Sequence, residues 1–388
     1  DVFETSVKES INDTELITYD SLFEYTKGRI GVQADNVTVY YDNIKITLPE
    51  DYVTEDRFEF TQIVDVYQPV TNIVAPATTL VWFNELTQLS LAQEVERPAT
   101  MIFRVDESLN VLDASGNILT TAMDAMISID GEIIPAFYTN DLTTAEAVAQ
   151  MLKDNRILDV FLISDESEVI LAAREIHNVI RGVKHYPMEG ITELSDSDLM
   201  DIRRETNSAQ AVASIIPATL LTRDNVFYMQ KRLMTVWGSS SDDQASLLHN
   251  ILTGVNGIVS NNFEEIFDLY AVFPENTHVR KPIMIAHRGL YEGYGASAEN
   301  TIESAMIALE RGADVLELDV HITNDLEVVI IHDTSTARTA PDFDPITVSS
   351  AFLHQLKAIY LADPGSDRTD LKIPTFREYL TAFKGTGV

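Results

Sequence analysis

From residue 98 onward the chain repeats one alternation, a short β-type apolar run followed by a stretch with helical spacing. The runs are TMIF, EIIPAFY, DVFLIS, VIRGVKHY, ASIIPATLL, LMTVWG and VNGIVS, and helical stretches such as TTAEAVAQMLKDN and SDSDLMDIRRET lie between several of them. A strand–helix–strand alternation implies a parallel sheet, because parallel neighbours need a crossover of a dozen or more residues. Seven or eight such units close into a (β/α)8 TIM barrel, an α/β fold. FPENTHVRKP at 273–282 reads as a boundary loop, and a fresh barrel starts at IMIAHRG.

This divides the 388 residues into four parts. Residues 1–49 read as a short β-sandwich piece, with Asp35-Asn36 and Asp42-Asn43 as turn signals between alternating runs. Residues 50–97 show no sustained period and read as a connector with one short helix near 84–94. Residues 98–276 form the first barrel, and 280–388 the first part of a second. The phrase GRIG…DNV…YYDNIKI resembles the closing strands of a concanavalin-A-like β-sandwich of the kind attached to carbohydrate-active proteins. That resemblance implies a glycan or cell-wall polymer as a partner for residues 1–49.

Composition removes several functions. A formal charge of −34, from 27 basic against 61 acidic residues, excludes a nucleic-acid surface, which needs clustered Lys and Arg. The same acidity fits either plain solubility or an extracellular or cell-surface protein in contact with cations. Zero cysteines excludes disulfides, thiolate nucleophiles and Cys-ligated zinc. No run approaches 18 apolar residues, and the start carries no signal segment. The chain opens on Asp and stops at LTAFKGTGV directly after a helical pattern, so it is expected to be a piece of a longer polypeptide.

The two barrel starts look like a duplicated unit. At an offset of 183, Met101-Ile102 falls on Met284-Ile285, Asn117 on Asn300 and Ala122-Met123 on Ala305-Met306. At the same register His287 meets Arg104, Glu299 meets Gly116, and (one residue later) Glu317 meets Ile133 and Asp319 meets Pro135. The first unit is therefore expected to keep the scaffold and lack the chemistry.

In the second unit three apolar runs end in polar groups: IMIAH, VLELD and VVIIH. Strand C-terminal ends share one mouth of a parallel barrel. ENTIESAMIALERGA between the first two is a helix with Asn300 or Thr301 at its N-cap and Gly312 at its stop. Only residues 320–327 separate Asp319 from the third run, too few for a crossover helix. They must form an extended excursion that turns near Asn324-Asp325 and returns His332 to the mouth of His287, Glu317 and Asp319. Glu317 and Asp319, two apart on a strand, share a face. Two carboxylates there require a hard divalent cation, Ca²⁺ or Mg²⁺, or a salt bridge to Arg288. Arg288 offers a fork for a phosphate, and His287 and His332 supply general acid and base. Glu299 reads equally as a ligand-side residue or as part of a helix cap.

The ordered set HRG at 287–289, AENT at 298–301, GADVLELDV at 312–320, TND at 323–325 and VVIIHD at 328–333 resembles the glycerophosphodiester phosphodiesterase family. KIPTFREYLTAFKG resembles the family's segment before its fourth strand. The resemblance implies metal-dependent hydrolysis of glycerophosphodiesters to glycerol phosphate and an alcohol. It makes His287 and His332 the acid–base pair, Glu317 and Asp319 the cation ligands and Arg288 the phosphate holder, with Glu299 and Asn300 beside them. It places a third metal carboxylate beyond Val388, and Ala298 departs from the family's proline. The alternatives are a cell-surface binding or scaffold protein with an inactive barrel, and a sphingomyelinase-D-like phospholipase.

Overall fold

The computed structural model describes residues 58–363 and 368–388, with the backbone of three strands near the start. Those three, β1 (Val2–Phe3), β2 (Ser6–Ile11) and β3 (Thr14–Tyr19), form an antiparallel sheet. The phrase read as sandwich strands, and the glycan partner attached to it, lie outside the described residues.

The first barrel is closed. Its eight parallel strands are β4 (Thr78–Trp82), β5 (Thr100–Val105), β8 (Ile134–Tyr138), β9 (Phe161–Ser164), β10 (Arg181–His185), β11 (Ala211–Pro217), β12 (Thr235–Ser239) and β13 (Gly257–Val259). Closure comes from β4 pairing in parallel with both β13 and β5. A hairpin, β6 (Asn110–Leu112) and β7 (Ile118–Thr121), hangs antiparallel from β5. The outer layer is α1 (Ala122–Ile129), α2 (Leu142–Asp154), α3 (Ser167–Ile176), α4 (Asp196–Ser208), α5 (Arg223–Gln230), α6 (Gln244–Thr253) and α7 (Phe263–Ala271).

Alternation along the strands explains the two cores. Leu80, Ile102, Ile163, Val183, Ile215 and Val259 point inward and fill the lumen. Their neighbours Val81, Phe103, Phe137 and Leu162 point outward and are sealed by the helices. Local signals start each helix: Asp141 caps α2 by accepting from Thr144 N, and Asp243 caps α6 by accepting from Ser246 N. Fully buried Tyr270 on α7 donates from its hydroxyl to Ala77 O at 2.8 Å, fastening the last helix to the first strand.

The seven runs expected as strands are all strands of this sheet. The eighth, β4, lies inside the segment expected as connector, so the barrel begins at Thr78 rather than at 98. TTLVW offered no signal because its three middle residues are buried on both faces, which leaves no polar alternation. The helix expected near 84–94 is a 3-10 stretch, Leu86–Gln93. Since β5 is the second strand of its barrel, the offset of 183 sets it one strand out of step with the leading strand of the next unit.

Residues 277–281 hold to the first barrel. Arg223 Nε donates to Val279 O at 3.1 Å, and Arg280 donates to Gly254 O at 3.3 Å and Val255 O at 3.1 Å. A Cβ on Gly254 would lie 2.9 Å from Arg280 Cα, so the close approach needs glycine there.

The second unit opens with β14 (Ile285–Ala286), α8 (Ile302–Glu310) and β15 (Val315–Leu316), a parallel pair joined by its crossover helix. Next come β16 (Val320–Ile322) and β17 (Val328–Ile330), an antiparallel hairpin with Val320 opposite Ile330. The excursion expected over 320–327 is the descending half and turn of this hairpin. Both VLELD and IMIAH form shorter strands than expected; β15 ends at Leu316, so Glu317 and Asp319 lie just past the ladder. The short helices α9 (Leu353–Ala358) and α10 (Phe376–Ala382) complete the unit. Its apolar centre gathers Ala305, Ile330, Tyr379 and Phe383, with a second cluster around Val329, Ile331, Leu356 and Ile373. Among the described residues β14 pairs only with β15, and Met284 and Ile285 are 62% and 58% exposed. No helix among the described residues is long and apolar enough to cross a membrane.

Candidate functional site

The turn after β14 carries the most constrained backbone in the second unit. Arg288 and Asn300 both take left-handed φ, 56° and 57°, and Gly289 follows at 83°. A left-handed arginine is unfavourable by itself, so surrounding contacts must hold it. Arg288 N donates to Glu317 Oε2 at 3.1 Å, and its carbonyl accepts from Asn300 N at 3.0 Å and Ser304 Oγ at 3.2 Å. Gly289 lies against the first turn of α8, where a Cβ would come within 2.4 Å of Ser304 Oγ. Thr301 caps that helix, accepting from Ser304 N.

The Arg288 side chain is 15% exposed. It donates from Nη1 to Glu299 Oε1 at 3.3 Å and pairs through Nε with Asp319 Oδ2 at 3.2 Å. The Nε contact is too poorly aligned to count as a hydrogen bond, so that N–H is buried without an acceptor. Asn300 locks Asp319 from both sides, donating from Nδ2 to Oδ2 at 3.0 Å and accepting from Asp319 N at 3.2 Å.

Two further residues complete the network. Arg338 grips Glu299 through both carboxylate oxygens at 2.7 Å and reaches Asp333 Oδ2 with Nε at 2.7 Å. Asp333 Oδ1 accepts from His332 Nδ1 at 2.7 Å. An Nδ1–H committed to a carboxylate leaves Nε2 of the neutral ring unprotonated, the tautomer of a general base. The Arg338 guanidinium, with the His332 ring second, lowers the Asp333 carboxyl to about 2. Arg338 also lowers Glu299, against the opposing effect of burial.

Glu299, Asn300, Glu317, Asp319 and Arg288 thus form one connected cluster, and His332 joins it through Asp333 and Arg338. Ile331 N also donates to Asp319 O at 3.0 Å, which fixes the approach of β17 to the acids. His287 precedes this cluster directly. Its exposed ring meets Tyr291 edge-on at 6.1 Å, and no described protein group hydrogen-bonds to it. A small cleft beside the cluster is lined by Glu299, Asn300, Ile330, His332, Thr339 and Ile373. Thr339 Oγ1 is buried there without a partner.

The salt bridge of Asp319 to Arg288 is present, yet it does not balance the cluster. Two guanidinium groups, Arg288 and Arg338, face four carboxylates: Glu299, Glu317, Asp319 and Asp333. Excess negative charge in a partly buried cluster is unfavourable without a further cation. Glu317 Oε1 and Asp319 Oδ1 have no protein donor among the described residues. Carboxylate oxygens of this kind are the donor type that a hard divalent cation would take. Among the described residues, no group of three or more His, Cys, Asp or Glu side chains could hold a metal.

Asp333 and Arg338 escaped the sequence reading. Asp333 stood inside VVIIHD, where its adjacency to His332 was a usable signal. Arg338 had none, since its partners lie 5 and 39 residues away.

Residues 287–387 match the glycerophosphoryl diester phosphodiesterase family. The chain is 30% identical over 150 residues to lysophospholipase D GDPD1 of Rattus norvegicus, covering 36% of this chain and 45% of that protein. It is 46% identical over 59 residues to a glycerophosphodiester phosphodiesterase of Caldanaerobacter subterraneus, covering 15% and 23%. The chain therefore spans less than half the length of these curated relatives. A solved Oleispira antarctica phosphodiesterase, in complex with the product sn-glycerol-3-phosphate, superposes with a TM-score of 0.39 at 10% identity, over 50% of this chain and 96% of that one.

Proposed function

We infer the reaction from one premise: residues 287–387 belong to the glycerophosphoryl diester phosphodiesterase family. The reaction is hydrolysis of a glycerophosphodiester to glycerol phosphate and an alcohol. The observation that carries it is the Asp333–His332 pair wired through Arg338 and Glu299 to the buried guanidinium of Arg288.

Arg288 meets the phosphodiester oxygens. Its buried Nε lacks an aligned acceptor, as does Thr339 Oγ1 in the adjoining cleft, and a phosphate oxygen satisfies both. Arg338 already holds both oxygens of Glu299, so Arg288 can turn toward substrate without leaving a bare buried carboxylate. His332, held by Asp333, takes the proton from the attacking water or substrate hydroxyl as the new P–O bond forms. His287, exposed and uncommitted, gives a proton to the departing alkoxide as the old P–O bond breaks. A divalent cation on Glu317 and Asp319 would neutralise charge on the phosphoryl oxygens when bound. The acidic exterior accords with an extracellular or cell-surface setting.

The test is turnover of glycerophosphodiesters by the full chain, with and without Mg²⁺ or Ca²⁺. His332→Ala and His287→Ala should each lower kcat by at least about 100-fold. Rates within a few fold of the parent would refute the assignment.

A further inference from the structure

The first barrel lacks the histidine, arginine and acids of the second unit at the corresponding strand ends, yet its mouth is not inert. The lumen-facing phase set by Leu80, Ile102, Ala136, Ile163 and Val183 continues two residues on to Trp82, Arg104, Tyr138, Asp165 and His185. These five come from five successive strands and meet at the C-terminal end, where barrels of this architecture place their ligands. The Arg104 guanidinium lies 4.1 Å over the Trp82 ring. Trp82 meets Tyr138 edge-on at 5.4 Å, and Tyr138 meets His185 at 5.9 Å.

The charges at this mouth are unequally provided for. Asp165 accepts from His185 Nδ1 at 2.7 Å and from the Tyr138 hydroxyl at 3.2 Å, and its carbonyl accepts from the Lys184 ammonium. Besides the Trp82 ring, Arg104 hydrogen-bonds to Asn84 Oδ1 at 3.1 Å, and no carboxylate forms a salt bridge with it among the described residues. Arg104 is half-buried, and Asp113 acts on it without forming a salt bridge. Burial disfavours its charge, and the fields of Tyr138 and Asp113 offset that only in part, so an external anion would be favoured there. The second strand of the other unit leads instead to Glu317 and Asp319, where this barrel has Arg104.

We propose that the mouth of the first barrel binds a small organic phosphate without hydrolysing it, with Arg104 as its anchor and Trp82 and Tyr138 as its walls. The anion site rests on the geometry of this barrel alone. The choice of phosphate over carboxylate rests on the reading of the second unit, whose products would carry that group.

The chain's two tryptophans, Trp82 at the mouth and Trp237 in the lumen, both belong to this barrel and make intrinsic fluorescence a local reporter. Inorganic phosphate, glycerol phosphate and acetate would be titrated into the full chain, its Arg104→Gln and Arg104→Lys variants, and a His287→Ala/Arg288→Ala double variant. The phosphates should give a saturable change in the parent and in the double variant, which isolates this site from the second unit. Arg104→Gln should weaken it about 10-fold or more, and Arg104→Lys by less. Should the Gln variant not fold, the Lys variant carries the comparison through a measurable loss of affinity. No saturable change up to about 10 mM, equal affinity in the Arg104 variants, or loss of the signal in the double variant overturns the site. Acetate binding as tightly as phosphate overturns the ligand class and leaves the activity of the second unit a separate question.

Discussion

At the scale of single residues, Asp333 has the clearest measurable consequence. Arg338 and then His332 hold its carboxyl at about 2, below the value near 3.9 of an unfolded aspartate. A depressed folded value means that its stabilisation is complete above about pH 4 and disappears as pH falls through about 2. Water screens this partly exposed group, so the contribution is about 1 kcal/mol. Asp333→Asn should lower Tm at pH 7 by roughly 2–4 °C and flatten the fall in Tm between about pH 4 and pH 2, read by thermal melts across pH. An unchanged slope would mean that the acid titrates without coupling to the fold. The same variant should lower kcat by roughly 10²–10⁴-fold, because an amide no longer selects the Nδ1–H tautomer of His332. His332, Glu317, Asp319 and Arg288 were legible before any coordinates because each ends an apolar run. Arg338 was illegible for a physical reason: an ion pair formed across a loop leaves no periodicity in the chain.

At the scale of elements, the strand–turn–helix of β14 and α8 depends on backbone shape. Gly289 combines a φ of 83° with contact to the first turn of α8. Gly289→Ala should cost about 3 kcal/mol, combining left-handed strain with displacement of Ser304, and should show in denaturant titration as a lower midpoint at unchanged slope. Thr301→Ala removes only the cap and should cost about 1 kcal/mol. A Gly289 variant as stable as the cap variant would mean that the turn relaxes freely. The hairpin β16–β17 was readable because too few residues separate Asp319 from Val328 for any helix. By contrast, β4 was hidden because burial on both faces erases the alternation that marks a strand, and missing it moved the repeat register by one strand.

At the scale of the whole molecule, the sequence named the architecture because seven βα units leave almost no alternative to closure. The parallel ladders between β4 and its two neighbours supply the eighth strand and the seal. The tether at 277–281 is held between Gly254 and Val255, which lead into β13, and Arg223 at the start of α5. Arg280→Ala would release two backbone carbonyls there; limited proteolysis should then cut the tether faster, and an unchanged rate would assign the anchoring to Arg223 and Lys281 instead. Closure also settles how this barrel meets other chains. A cylinder has no free border for another chain to adhere to, so every strand of the first barrel is shielded from edge-to-edge adhesion.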